Sequence, residues 1–289
     1  MKSFRIYLPA YLFLLPALSL FILFMFVPIL SGLKLSFQRW SFDGAKWVGF
    51  SNYAKIFHDS VFWDSLRTTV VYTVFTVFFG IVISLIIAFL MDPIAGKLQS
   101  FFKAAYYLPS VAPIVIISVL WGWLYNPSFG LLNYLLEQIG LEPVLWLGDP
   151  NIALYSIIMM TLAVSQGPSI LILVAALGGI PKDYQEAATI DGANGLQETF
   201  HIKLPLLKPA LLYLAIVNTV GSFQVFAPIY MMTGGGPNGS TTTIGFLIYE
   251  NGFKKFDFGV ASAQAVILLI LVMIIAVIQF KYLSNDVEY

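Results

Sequence analysis

The chain has 289 residues, 59% hydrophobic and only 10% charged, and its 15 basic and 15 acidic side chains balance to zero net charge. A soluble domain carries about 25% charged residues, so a water-soluble globule is excluded, and a balanced charge offers nothing to nucleic acid. With no cysteine and two histidines, disulfides, thiol catalysis and a histidine-rich metal site are excluded as well.

The charges are clustered, and six uncharged runs lie between them, at 6–33, 68–91, 104–136, 150–181, 209–249 and 258–280. Each exceeds the ~20 residues that carry a helix across a bilayer. The runs are continuously apolar, not alternating, which sets aside a membrane β-barrel. They predict an all-α membrane protein, a single transmembrane domain over 1–289, with six transmembrane helices near 9–33, 68–91, 105–125, 152–178, 207–231 and 259–282. Lys2 and Arg5 precede the first run as in a secretion signal. That run is longer than the ~7–15 residues of a signal's apolar region, and no small-residue cleavage site precedes Lys34, so the first helix is expected to be retained. Residues 52–64 read as an amphipathic surface helix with His58 in solvent. Pro109 and Pro113, Pro168, and Pro228 are placed to kink helices three, four and five. Trp121, Trp123 and Tyr125 read as an interfacial aromatic belt.

Six spans put both termini on one side. With the termini in the cytoplasm, the short inside loops carry Lys97, Lys103, Lys182, Lys203 and Lys208, and the outside loops after helices three and five carry only Lys254 and Lys255. This agrees with the excess of basic residues on cytoplasmic loops. The first outside loop, with Lys34, Arg39, Lys46, Lys55 and Arg67, runs against it.

The chain holds no energy source of its own. In "GGGPNGST" at 234–241, Gly234 and Gly239 have phosphate-loop spacing, but Ser240 stands where the lysine must be. The spans are essentially free of the buried ionisable residues that gradient-driven transporters use, and no internal repeat is evident. Catalytic residues do not cluster in the helices, which sets aside an intramembrane enzyme. What remains is a membrane pathway whose motor is another chain.

One polar segment interrupts the apolar pattern, "YQEAATIDGANGLQETFHIKLPLLKP" at 184–209. Pro181 suits a helix start, Gly192 breaks the helix, and Asn194 with Gln197 forms a capping pair for a second helix to about Lys203. Pro205 and Pro209 mark re-entry into the membrane. The pattern predicts a helix–turn–helix elbow between helices four and five, spanning 182–206, with Glu186 and Asp191 offered to a basic partner. A plain solvated loop is the alternative reading, and His201 within the segment reads as a contact or solvated residue.

"EAATIDGA" followed by Phe200 and "LP" at 204–205 resembles the EAA motif of ABC importer permeases. The resemblance covers Glu186, Ala187, Ala188, Asp191, Gly192, Ala193, Phe200, Leu204 and Pro205, and implies that these residues dock on a cytoplasmic ATPase. It extends along nearly the whole chain: "WVGFSNYAKIF" at 47–57, "YYLPSVAP" at 106–113, "FGLLNYLL" at 129–136, "WLGDPNIAL" at 146–154, and "TGGGPNGSTTT", "YE" and "DFGVASA" between 233 and 263. Together these are similar to permeases of the maltose and multiple-sugar type. Two departures lie near the pathway: "AVSQGP" stands where many relatives have tryptophan in helix four, and Ala227 where many have an acid in helix five.

The resemblance implies a bacterial or archaeal inner-membrane subunit, multi-pass, in contact with lipid. Its implied partners are a second homologous permease, two ATPase subunits that hold ATP and Mg, an extracytoplasmic solute-binding protein and a carbohydrate. Asn218 and Ser222 share a face of helix five, Gly221 leaves room beside them, and Gln224 lies off that face. Thr161 and Ser165 share a face of helix four. Such neutral hydrogen-bonding groups suit a sugar and are the expected substrate-pathway residues. The same residue types also glue membrane helices together. The competing cargo is a polyol or glycerol phosphate ester, and the competing mechanism is a gradient-driven sugar transporter.

Overall fold

The computed structural model describes residues 2–41 and 44–283. α1 (Lys2–Phe21) continues through a wider turn at Ile22–Phe26, where the Val27 amide donates to the Ile22 carbonyl, into α2 (Val27–Ser36). β1 (Gln38–Ser41) and β2 (Gly44–Trp47) form an antiparallel hairpin with Gln38 opposite Trp47. Then come α3 (Ser51–Phe57), α4 (Ser60–Met91), α5 (Gly96–Val111), α6 (Ile114–Leu124), α7 (Leu131–Gln138), α8 (Ala153–Val164) and α9 (Gly167–Gly178). The elbow segment follows as α10 (Lys182–Ile190), α11 (Gly195–Glu198) and α12 (Leu204–Leu206). α13 (Lys208–Phe223), α14 (Ala227–Met232), α15 (Ile244–Tyr249) and α16 (Phe258–Leu283) complete the chain.

Among the described residues, three helices are long and apolar enough to cross a bilayer: Tyr11–Ser36, Ser60–Met91 and Phe258–Tyr282. Three further pairs qualify only when joined across a bend: α5 with α6 at 91°, α8 with α9 at 45°, and Gly195–Leu206 with α13 at 63°. Prolines cause the bends. Pro113 drives Ala112 into extended backbone, at φ −68 and ψ 139, because a residue before proline avoids the helical region. The kink expected from Pro113 in the helix over 105–125 is therefore a break of almost a right angle. Pro168 sits in the first turn of α9 and Pro209 in that of α13, so each starts a new helix after a short break, and Pro228 opens α14 in the same way. The second spanning helix begins at Ser60, ahead of the expected 68. The expected surface helix over 52–64 is also interrupted: α3 ends before His58, whose amide still bonds to Ala54, and α4 begins at Ser60.

The chain divides into two compact units, residues 1–60 with 247–269, and residues 61–246 with 270–289. In the first, Asn52 Nδ2 bridges the carbonyls of Ser36 at 2.8 Å and Gln38 at 2.9 Å, tying α3 to the strand that follows α2. Phe37, Trp47, Phe50 and Tyr53 stack around this junction. Lys55 pairs with Asp257 at 2.9 Å.

In the second unit, α4 is built the way a lipid-facing helix should be. Ser65, Thr69, Thr73, Thr76, Gly80, Ser84 and Ala88 recur every three or four residues and are buried, while Val74, Phe78, Ile86 and Leu90 are exposed. Lipid tails are as apolar as leucine, so helices associate through close packing of small residues and polar contacts. Gly167 shows how close that packing is. A Cβ there would stand 2.8 Å from the Tyr106 carbonyl and 2.8 Å from Tyr107 Cα, so only glycine lets α5 lie against α9. Ala88 and Met91 of α4, Ile170, Leu173 and Leu177 of α9, and Leu214 of α13 form the apolar core of this unit. Tyr125, expected in an exposed aromatic belt, is instead buried, with its hydroxyl donating to the Ser156 carbonyl at 2.7 Å and its ring against Trp146. Trp123 is exposed.

Candidate functional site

Polar groups gather where the helices of the second unit break. Ser165 closes α8 and Gln166 opens α9, so the helix ends leave backbone groups without helical partners there. Across from them on α4, Tyr72 and Thr76 are one turn apart and share a face. The Tyr72 hydroxyl stands 2.9 Å from Thr161 Oγ1, and Thr76 Oγ1 stands 3.1 Å from Ser222 Oγ. Asn218 Nδ2 donates to Ser169 Oγ at 3.4 Å, and Gln166 Oε1 accepts from Ser84 at 3.2 Å.

These groups wall a cavity of about 460 Å³ that also takes in Ser165 and Gly221, inside the ~300–1,000 Å³ range of small-molecule sites. No charged side chain lines it. Thr76 gives its proton to the Tyr72 carbonyl at 2.7 Å and Thr161 to the Ile157 carbonyl at 3.0 Å. With those protons committed, Ser222 and Tyr72 donate to the threonines and keep lone pairs open for the hydroxyls of a ligand. Five of the sequence-predicted pathway residues, Thr161, Ser165, Asn218, Gly221 and Ser222, thus meet at one cavity. Gln224 caps α13, is exposed, and is not among the lining residues. Sequence reasoning missed Tyr72, Thr76, Gln166 and Ser169. The signal existed: Thr69, Tyr72, Thr73 and Thr76 stand at i, i+3, i+4 and i+7.

Two other cavities differ in chemistry. One of about 580 Å³ is walled by Phe75, Phe79, Ile83, Ile87 and Met159 and suits an acyl chain or a neighbouring helix. Another, of about 720 Å³, is lined by Asp64, Arg67, Asn151, Asn238 and Ser240.

The elbow forms as its residues dictate. Pro181 caps α10, and Gly192 turns the chain at φ 77, a left-handed conformation costly for other residues. The Ala193 amide closes the turn on the Ala188 carbonyl at 2.9 Å. Asn194 and Gln197 complete a reciprocal capping box, at 2.9 and 2.8 Å. Glu186, Ala187, Asp191, Gly192 and Phe200 are exposed, Ala193, Leu204 and Pro205 half-buried, and Ala188 buried. Ile190 is 86% exposed, Leu196 72% and Phe200 61%. On this elbow, large apolar side chains thus stand open beside the carboxylates of Glu186 and Asp191.

Residues 80–289 match the family described as binding-protein-dependent transport system inner membrane component. The chain belongs to that family. The permease is 36% identical to the probable ABC transporter permease protein YurN of Bacillus subtilis, over 96% of this chain and 97% of that one. It is 33% identical to the trehalose/maltose transport system permease protein MalF of Thermococcus litoralis, over 94% and 92% of the two chains. It is also 33% identical to the sn-glycerol-3-phosphate transport system permease protein UgpA of Salmonella choleraesuis, over 96% and 95%. Its fold is similar to that of a bacterial ABC transporter involved in the import of the acidic polysaccharide alginate, with a TM-score of 0.88 over 99% of both chains at 23% identity. It is therefore an ABC importer permease with an all-α membrane fold, and in such systems ATP hydrolysis belongs to a separate subunit.

Proposed function

We propose that this permease forms one half of the translocation pathway of an ATP-driven importer of neutral carbohydrate. Each bent pair contributes one span, the third through α13 alone, giving six, with both termini in the cytoplasm. The elbow, residues 182–206, then lies on the cytoplasmic side and docks on an ATPase subunit that holds ATP and Mg. A second, homologous permease supplies the other half, and a solute-binding protein delivers cargo from outside. Closure of the ATPase pair on ATP moves the elbow, and the bends in the helices let the cavity change sides.

The cargo reading rests on one observation, a cavity that sets hydroxyls and amides among apolar side chains such as Ile114, Val217 and Val225, with no charged group among its described lining. Sugars are bound through many neutral hydrogen bonds, and Tyr72 is the aromatic residue of this lining. A phosphate ester calls for arginine or lysine, and the cavity has neither. The similarity to a glycerol-phosphate permease is why that cargo remains the second reading.

The test is uptake into vesicles carrying the full transporter, with ATP inside and radiolabelled trehalose, maltose or sn-glycerol 3-phosphate supplied with the binding protein. Saturable uptake of a sugar, competed by other sugars and not by the phosphate ester, is the expected result. Preferential uptake of the ester would overturn the cargo reading.

A further inference from the structure

The elbow is joined to α4 by a triad of opposite charges. Lys203 Nζ donates to Asp92 Oδ2 at 2.6 Å and lies 3.0 Å from Glu198 Oε1. Asp92 directly follows the last residue of α4, Glu198 ends α11, and Lys203 directly precedes α12. The three side chains are only 14%, 22% and 22% exposed. Exposed ion pairs on loops contribute little and hold no fixed geometry. Partly desolvated pairs with short hydrogen bonds fix register. Removing one partner leaves an uncompensated charge, which is costly when sheltered from water.

The triad sits at one end of a helix whose middle carries the cavity. From Met91 back to Thr76, α4 is unbroken, about 22 Å at 1.5 Å per residue. Gly80, the weakest point of that stretch, is steadied by Gln166, whose side chain would touch a Cβ there at 3.0 Å. A displacement of the elbow therefore has a stiff path to Tyr72 and Thr76. That path is separate from the covalent one, which runs from α12 through Leu207 into α13.

We propose that Lys203 is a positioning residue that fastens the coupling elbow to the end of α4, so that elbow and α4 move as one body during the transport cycle. This rests on the coupling reading of the elbow given above. It assigns α4 as a driven element of the pathway, although α4 is far from the elbow in sequence.

The chain has no cysteine, so two introduced labels report one distance. With cysteine-free partner subunits, spin labels at Leu90→Cys and His201→Cys would be measured in the assembled transporter, before and after trapping with ATP and vanadate. The expected result is one narrow distance distribution that does not shift on trapping. It is expected to broaden in Lys203→Met and Asp92→Asn, and to become narrow again in the charge reversal Asp92→Lys with Lys203→Asp. Distributions as narrow in the single variants as in the parent would overturn the proposal, as would a shift on trapping in the parent. Where a single variant fails to assemble, the reversal decides: assembly with the narrow distribution supports the tie, and failure overturns it in favour of a general folding requirement. Failure of the coupling reading is seen separately, as unaltered ATP hydrolysis by the Glu186→Ala assembly.

Discussion

The Thr76 hydroxyl on α4 lies 3.1 Å from the Ser222 hydroxyl on α13, across 146 residues of sequence. Both line the uncharged cavity, and the threonine's own proton is held by the Tyr72 carbonyl. Thr76→Val keeps the shape and removes the acceptor for Ser222. The expected loss is one hydrogen bond, about 0.5–1.5 kcal/mol, seen as a KM for sugar uptake raised about three- to tenfold with little change in the maximal rate. Ser222→Ala is expected to act on the same contact, so the double variant should fall short of the summed effects. Uptake kinetics of the three variants check this. Full additivity would place the two hydroxyls in separate roles.

Gly167 lets α9 lie close against α5, with backbone atoms 2.8 Å from a would-be Cβ. Backbone yields less than side chain, so Gly167→Val must push the two helices apart. Overpacking of this kind costs about 1–3 kcal/mol or more. A lower melting temperature of the detergent-solubilised transporter, or poor accumulation in the membrane, is the expected outcome. Gly221, with nothing within 4 Å of its Cβ position, should accept alanine without such loss.

In the elbow, Asn194→Ala removes half of the capping box and is expected to cost about 1 kcal/mol of local stability. Hydrogen exchange in α11 should quicken while exchange in α4 stays unchanged. Equal quickening in both would mean that the elbow does not open as a local unit.

Lys203 carries a pH signature outside the spans. Burial works to lower its pKa, but the hydrogen bonds and charges of Asp92 and Glu198 outweigh it, and the net direction is up from 10.5. A folded pKa above the unfolded one adds stability that is fully present below the unfolded value and is lost as pH rises through the folded value. The melting-temperature difference between the parent and Lys203→Met should therefore stay constant from about pH 7 to about pH 10 and shrink above that. Shrinkage already near neutrality would contradict a charged Lys203.

How much of this was legible in the sequence differs from part to part. The elbow's turn and caps were legible, because Pro181, Gly192 and the Asn194–Gln197 pair act through local backbone chemistry that needs no tertiary partner, whereas the wider turn at Thr199–Lys203 and the continuation to Leu206 were not. The spans were legible as apolar runs and the kinks as prolines, but the size of the bends was not. Pro113 announces a kink, yet whether it bends the chain by 91° depends on what α5 packs against. The start of α4 at Ser60 was hidden because Asp64 and Arg67 read as loop charges. The cavity was half legible: Asn218 and Ser222 stand out in an apolar helix, whereas Tyr72 and Thr76 passed for ordinary helix-packing residues. The ion triad was invisible, since nothing in the sequence pairs residue 92 with residue 203.

The most direct test of the central claim is ATP-driven sugar uptake into vesicles holding all subunits, comparing the parent with Glu186→Ala and Gly192→Pro. Proline cannot adopt the φ of 77 found at Gly192, and Glu186 is an exposed carboxylate of the elbow. Both variants are expected to insert normally, and to lose uptake together with cargo-stimulated ATP hydrolysis. Normal uptake by both variants, or uptake that persists without ATP, would contradict the assignment of the elbow as the coupling element.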